Sequence, residues 1–198
     1  YSVAMSADGT KQTALGGNGL MYRSVDSGAT WAKVPNVSLT GSCSKNWESV
    51  AMSADGTKQT AASYDYCVGG YIYTSQDSGL SWTRFPTYWG YGNWLNGVAM
   101  SSNGERQVAA SSNGLSKSFD YGASWSEGVS PANKNLLAIA TSANGERLLG
   151  GTNSYLYTSS DYGSTWNQVT TAGSRIWYSV AMSADGSRQM GVALDGSI

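Results

Sequence analysis

An all-β fold built of repeated four-stranded units is predicted by three features of this 198-residue sequence. The segment Val3-Ala4-Met5-Ser6-Ala7-Asp8-Gly9 returns at 50–56, 98–104, 139–145 and 180–186. A second segment, 24–31, returns at 75–82, 118–125 and 159–166. The third feature is composition: 25 glycines, 3 prolines and abundant Ser and Thr surround short apolar alternations, and helical periodicity is absent.

The leading residues of the first segment, Val3, Val50, Val98, Ile139 and Val180, are spaced by 47, 48, 41 and 41 residues. Such spacing leaves room for four strands and four turns. The units are 1–46, 47–93, 94–135, 136–176 and a partial fifth, 177–198, within one domain. In the first unit, strand a covers 2–6, where Val3 and Met5 alternate with small residues in the period of a β-strand. Asp8-Gly9 then makes a two-residue turn, as do Asp55-Gly56, Asn103-Gly104, Asn144-Gly145 and Asp185-Gly186. Turns of this kind need positive φ, which Asn, Asp and Gly tolerate best. Strands b, c and d follow around 11–15, 20–24 and 30–34. Each unit is then a blade, and the blades form a β-propeller with strand a innermost, where its small residues suit a crowded axis.

The segment between c and d reads Ser-x-Asp-x-Gly-x-Ser/Thr-Trp in four units. It resembles the Asp-box of sialidase, sortilin-type receptor and photosystem-assembly propellers, and the repeat pattern covers essentially the whole chain. The roles of these residues are expected to be structural. Asp26, Asp77, Asp120 and Asp161 would accept bonds from turn N–H groups. Gly28, Gly79, Gly122 and Gly163 would take a conformation other residues avoid, and Trp31, Trp82, Trp125 and Trp166 would pack between sheets. The resemblance places the boxes opposite the family's usual binding face. In register, Ile198 aligns with Met21, so the fifth unit stops before its own box. Together with the start at Tyr1, this gives the expectation of a segment of a longer chain; missing strands supplied by a neighbouring molecule are the alternative.

Several functions are disfavoured. The formal charge is −1 and charged residues are 13%, so no basic surface invites nucleic acid or anionic lipid. No apolar run reaches the roughly 18 residues of a membrane span. Of 13 carboxylates, nine (Asp8, Asp26, Asp55, Asp77, Glu105, Asp120, Glu146, Asp161 and Asp185) occupy repeated turn positions. Glu48, Asp65, Glu127 and Asp195 are scattered, and no pair is nominated for glycoside cleavage. Without histidine, neither a Ser-His-Asp triad nor a His metal site can form. No catalytic residue, metal or cofactor is therefore expected. Arg106, Arg147 and Arg188 share the repeat position of Lys11 and Lys58, and are expected to be solvated turn charges rather than a substrate clamp. Gly16-Gly17-Asn18-Gly19 lacks the Lys-Ser/Thr of a phosphate loop and reads as a b–c turn.

Departures from the repeat mark the candidate site. The d–a connectors and b–c loops should share the face opposite the boxes. Tyr64, Tyr66, Tyr88, Trp89 and Tyr91 lie there, outside the repeat, as candidate partner contacts. Bracing of the long connectors by these aromatics is the competing reading. Trp47 and Trp177 recur at the start of strand a and, with Trp94 one residue off, are expected to pack. Cys43 and Cys67, on neighbouring loops of that face, are expected to form a disulfide, and Asn36-Val37-Ser38 is an N-glycosylation sequon. Both point to a secreted or cell-surface location. The resulting reading is a non-catalytic extracellular scaffold or protein-interaction module, binding protein partners or its own copies. Alternatives are a glycan-binding module and a non-catalytic part of an Asp-box glycoside hydrolase. A plastid assembly factor ranks below them.

Overall fold

The computed structural model describes residues 2–35, 37, 45–65, 67, 69–86, 94–131 and 135–194. Tyr66, Tyr88, Trp89, Tyr91, Cys43, Asn36 and Asp195 lie outside the described residues. Strands β1 (Val3–Met5), β2 (Gln12–Leu15), β3 (Met21–Ser24) and β4 (Ala32–Lys33) form the first antiparallel sheet in sequential order. The second contains β5 (Lys45–Met52), β6 (Gln59–Asp65), β7 (Gly69–Ser75) and β8 (Thr83–Pro86). The third contains β9 (Leu95–Met100), β10 (Gln107–Ser111), β11 (Leu115–Ser118) and β12 (Ser126–Gly128). The fourth contains β13 (Leu136–Thr141), β14 (Leu148–Thr152), β15 (Leu156–Ser159) and β16 (Asn167–Val169). The fifth has β17 (Trp177–Met182) and β18 (Gln189–Ala193). Four-stranded blades and a partial fifth follow the expected pattern.

The first strands of successive blades lie against one another, and the core lies between blades rather than within them. Leu15, Met21 and Val34 of the first unit pack with Trp47, Val50, Ala61 and Tyr73 of the second. Leu136, Ile139 and Leu148 of the fourth unit likewise pack with Ala99, Val108, Ala110 and Leu115 of the third. Trp82, Trp125 and Trp166 each belong to the seam with the preceding unit: Trp125, for example, is buried with Ala62 and Ile72. Trp31, in the first unit, is 44% exposed.

A row of backbone bonds sews the a–b hairpins together across the blades. Ala7 N donates to Ala54 O, Ala54 N to Ser102 O, Ser102 N to Ala143 O, and Ala143 N to Ala184 O, at 2.7–2.8 Å. Side chains add a second row. Thr13 Oγ1 donates to Gln59 Oε1 at 2.7 Å, and Thr60 Oγ1 donates to Gln107 Oε1. At the third seam both partners change together, to Val108 and Leu148, and the contact becomes apolar.

One expectation is corrected here. The repeated cations are not simply solvated turn charges, because their stems cover the next blade's turn glycine. A Cβ on Gly56 would stand 2.7 Å from Lys11 Cδ, and one on Gly186 would stand 2.5 Å from Arg147 Cδ. Long cationic side chains bury their alkyl stems in this way while the head stays in water. Lys11 Nζ also donates to Asp55 O at 2.8 Å, and the Arg106 guanidinium lies 4.0 Å from the Tyr162 ring centre.

Candidate functional site

Ladder register divides the molecule into two faces. The a–b and c–d hairpins, such as 53–58 and 76–82, lie at one end of each sheet, whereas the b–c loops and d–a connectors lie at the other.

On the hairpin face the aspartates act as turn frames. Asp26 accepts from Ser24 Oγ at 2.7 Å, Thr30 N at 2.9 Å and Thr30 Oγ1 at 2.5 Å. Asp77, Asp120 and Asp161 repeat the pattern with Ser81, Ser124 and Thr165. The residue before each glycine has φ near 60°, and Gly28, Gly79, Gly122 and Gly163 have φ of 73–86°. Asp8, Asp55 and Asp185 frame the a–b turns with Ser6, Ser53 and Ser183. Donated bonds stabilise the ionised form. The Thr165 hydroxyl, then its amide, hold Asp161 at about 2; Thr30 does the same for Asp26, and the Ser6 hydroxyl, then Thr10, for Asp8. At Asp77 and Asp120 partial burial pushes upward, and the hydroxyl and amide donors outweigh it. These carboxylates are spent on architecture.

The connector face of units two and three is different. Asp65 ends β6 opposite Lys45, which starts β5, and Tyr64 faces Asn46 one residue inward. Lys45 is 3% exposed; its amine donates to Val37 O and to Tyr73 Oη, the latter at 2.6 Å. It sits 4.1 Å from the Tyr73 ring centre and 4.7 Å from that of Trp47. Burial pushes the Lys45 amine down to about 8, helped by the Arg84 charge and opposed by Asp65. Burial pushes the Tyr73 hydroxyl up, while Arg84 pulls against it. The Arg84 guanidinium itself lies over Tyr71, 4.6 Å from its ring centre.

Tyr64, the one described member of the expected aromatic set, is buried and stacks on Trp94 at 4.4 Å with 18° between ring planes. Trp94 is 48% exposed, so the pair presents an aromatic face to solvent. The expectation that Trp94 packs like Trp47 is corrected. The buried slot at the start of strand a holds Trp47, Leu95, Leu136 and Trp177, each three residues before the repeated Val or Ile. One residue earlier, Trp94 points its ring the other way, because neighbouring strand residues face opposite sides. Its backbone is fixed by Ser112, whose hydroxyl accepts from Trp94 N at 3.1 Å and whose N–H donates to Trp94 O at 2.9 Å. That offset was the available signal for Trp94. Lys45 carried no comparable mark, since a lysine beside a loop is ordinarily solvated.

Of the scattered carboxylates, Glu48 lies in β5, Asp65 ends β6, where it accepts from Cys67 N at 2.9 Å, and Glu127 lies on outer strand β12. The expected Cys43–Cys67 pairing depends on Cys43, which is not described.

Together these features define a β-propeller whose hairpin face is architectural and whose connector face is individual. No protein-family model matches the sequence, and neither does any curated protein. Among solved structures, "YCF48 bound to D1 peptide" is similar over 96% of this chain and 59% of that one, with a TM-score of 0.67 and 14% identity. The GH74 xyloglucanase of Xanthomonas campestris is similar over 96% of this chain and 35% of its own, with a TM-score of 0.71 and 20% identity. The Swd1 β-propeller domain of Myceliophteria thermophila is similar over 98% and 62%, with a TM-score of 0.68 and 19% identity. This chain thus spans less than two thirds of each. At these identities the likeness establishes the fold.

Proposed function

We propose that this chain is a non-catalytic protein-recognition propeller that takes a segment of a partner protein on the connector face of units two and three. The observation that carries this reading is the Tyr64–Trp94 stack, half open to solvent at the point where the repeat is broken. Rigid aromatic faces on a fixed scaffold lose little side-chain entropy on binding and serve often as interface anchors. The solved structure of YCF48 with a D1 peptide supports peptide recognition as a use of this fold. A secreted or cell-surface setting belongs to the same proposal, and is tested by whether Cys43 and Cys67 resist thiol labelling until reduced. Recognition is tested by selecting a peptide library on the protein. Enriched peptides should lose binding to the Trp94→Ala variant and keep it to Trp31→Ala; the reverse pattern would reject the connector face.

A further inference from the structure

Among the described residues of units two to four, the exposed aromatic side chains are Trp94, Phe119 and Tyr121. Phe119 and Tyr121 are covered by cations of the chain itself. Arg106 and Lys117 stand 5.6 and 5.8 Å from the ring centre of Phe119, and Lys58 stands 5.9 Å from that of Tyr121. Two partly buried rings are covered more closely, both by arginine. Arg106 lies 4.0 Å from the centre of Tyr162, and Arg84 lies 4.6 Å from that of Tyr71. No described cation lies over Trp94, although an indole attracts cations more strongly than any other ring.

A carboxylate with no described counter-charge lies nearby. Trp47 pairs with Ser63 and Ser49 with Ala62, so Glu48 is the extra residue of a bulge in β5, and bulges re-aim side chains. At the same repeat position the other units have Tyr1, Asn96, Leu137 and Tyr178, so the charge belongs to unit two alone. The Glu48 side chain reaches solvent, and no described residue donates a hydrogen bond to it. Partial burial raises its carboxyl, and a carboxylate that has given up some of its water gains from a cation.

Two links bring Glu48 to Trp94. Trp94 stacks on Tyr64, Tyr64 lies opposite Asn46, and Glu48 is two residues farther along β5, about 7 Å at the rise of a strand. Val98 N donates to Ser49 Oγ at 3.2 Å, which holds the strand after Trp94 alongside that of Glu48. Lys45 and Arg84 are engaged on the other side of the second sheet, toward the first unit. Lys45 donates to Val37 O and Tyr73 Oη, and Arg84 lies over Tyr71.

We propose that the Trp94 ring and the Glu48 carboxylate form a receptor for an arginine side chain of the partner segment. This rests on the reading of the connector face as a peptide-recognition surface, and it supplies the chemistry of the occupant. The guanidinium lies on the open face of the indole, as Arg106 lies on Tyr162, and an N–H edge donates to the carboxylate. One planar group makes both contacts, which the compact, strongly hydrated ammonium of lysine does not match.

A random displayed-peptide library is selected on the intact protein. Each enriched peptide is remade with its arginines replaced in turn by citrulline, which keeps their size and planarity and removes the charge. The enriched peptides should carry an arginine whose replacement raises the dissociation constant at least ~10-fold, worth ~1.4 kcal/mol. Lysine at that place should bind more weakly than arginine. Glu48→Gln in the protein should weaken the arginine peptide by a similar factor and leave the citrulline peptide unchanged, so the two changes are not additive. Peptides that need Trp94 but carry no arginine, or bind equally with citrulline, overturn the arginine site and leave peptide recognition standing. Strict additivity gives the arginine a different partner and overturns the site equally. A library that yields no peptide, or only peptides indifferent to Trp94→Ala, rejects the recognition surface and the arginine site with it.

Discussion

On the hairpin face each unit repeats the contacts of the one before, whereas on the connector face the second unit meets the third through residues found nowhere else in the chain. The first arrangement satisfies every aspartate locally, with bonds to Ser and Thr two to four residues away. The second leaves Trp94 half in solvent and buries the Lys45 amine. Repetition of a satisfied turn marks architecture, and a costly departure from repetition marks the place where selection has asked for something other than stability.

The largest expected effect is collective and falls on the hairpin face. Asp8, Asp26, Asp55 and Asp161 all sit at about 2, below the ordinary 3.8. A depressed carboxylate contributes stability above its unfolded value and loses it as pH falls through the folded one. Stability should therefore drop steeply between pH 4 and 2, and hydrogen exchange should show hairpin amides such as those of Thr30 and Thr165 losing protection first. Earlier loss at β5 and β6 would break the comparison.

Next is Gly122→Val. Positive φ for a β-branched residue and overpacking against Gln107 and Thr74 together should cost about 3 kcal/mol. In a chain this size that is a fall of roughly 10 °C in melting temperature. A loss below about 1 kcal/mol would mean the hairpin seats are looser than they look.

The Thr60–Gln107 pair sharpens the argument about seams. Thr60→Val or Gln107→Leu alone should cost about 1–3 kcal/mol by leaving a buried polar group unpaired. The double variant reproduces the Val108–Leu148 contact and should recover most of that loss in a double-mutant cycle. Strict additivity would refute the coupling.

Smaller still is the alkaline behaviour of the connector face. With the Lys45 amine held at about 8, the folded state binds fewer protons than the unfolded state between pH 8 and 10. Stability should rise over that window, and then fall above pH 10, where the raised Tyr73 hydroxyl keeps its proton while the unfolded chain loses it. Lys45→Met should flatten the rise, and an unchanged slope would deny that Lys45 titrates early.

The fold was legible because turn chemistry and strand alternation recur in register, and each copy confirms the others. Val3 to Gly9 alone is an ambiguous apolar run; five copies at fixed spacing are an array of hairpins. Strand ends were less legible. The outer strand expected at 30–34 shrinks to Ala32–Lys33, since Thr30 is consumed in capping Asp26. The seam contacts were hidden because they join residues of different units, such as Lys11 with Asp55, 44 positions apart, and Ser49 with Val98, 49 positions apart. At the candidate site the sequence singled out Tyr64 but assigned Trp94 to the core, because a one-residue offset looks trivial in an alignment and reverses a side chain in a strand.

The most direct test of recognition on the connector face is to measure Trp94→Ala for stability and for binding of a selected peptide in the same preparation. Loss of the stack on Tyr64 should cost no more than about 1.5 kcal/mol, while the dissociation constant rises at least ~10-fold. A variant that loses several kcal/mol of stability and binds the peptide unchanged would show the stack to be bracing alone, and would contradict the account.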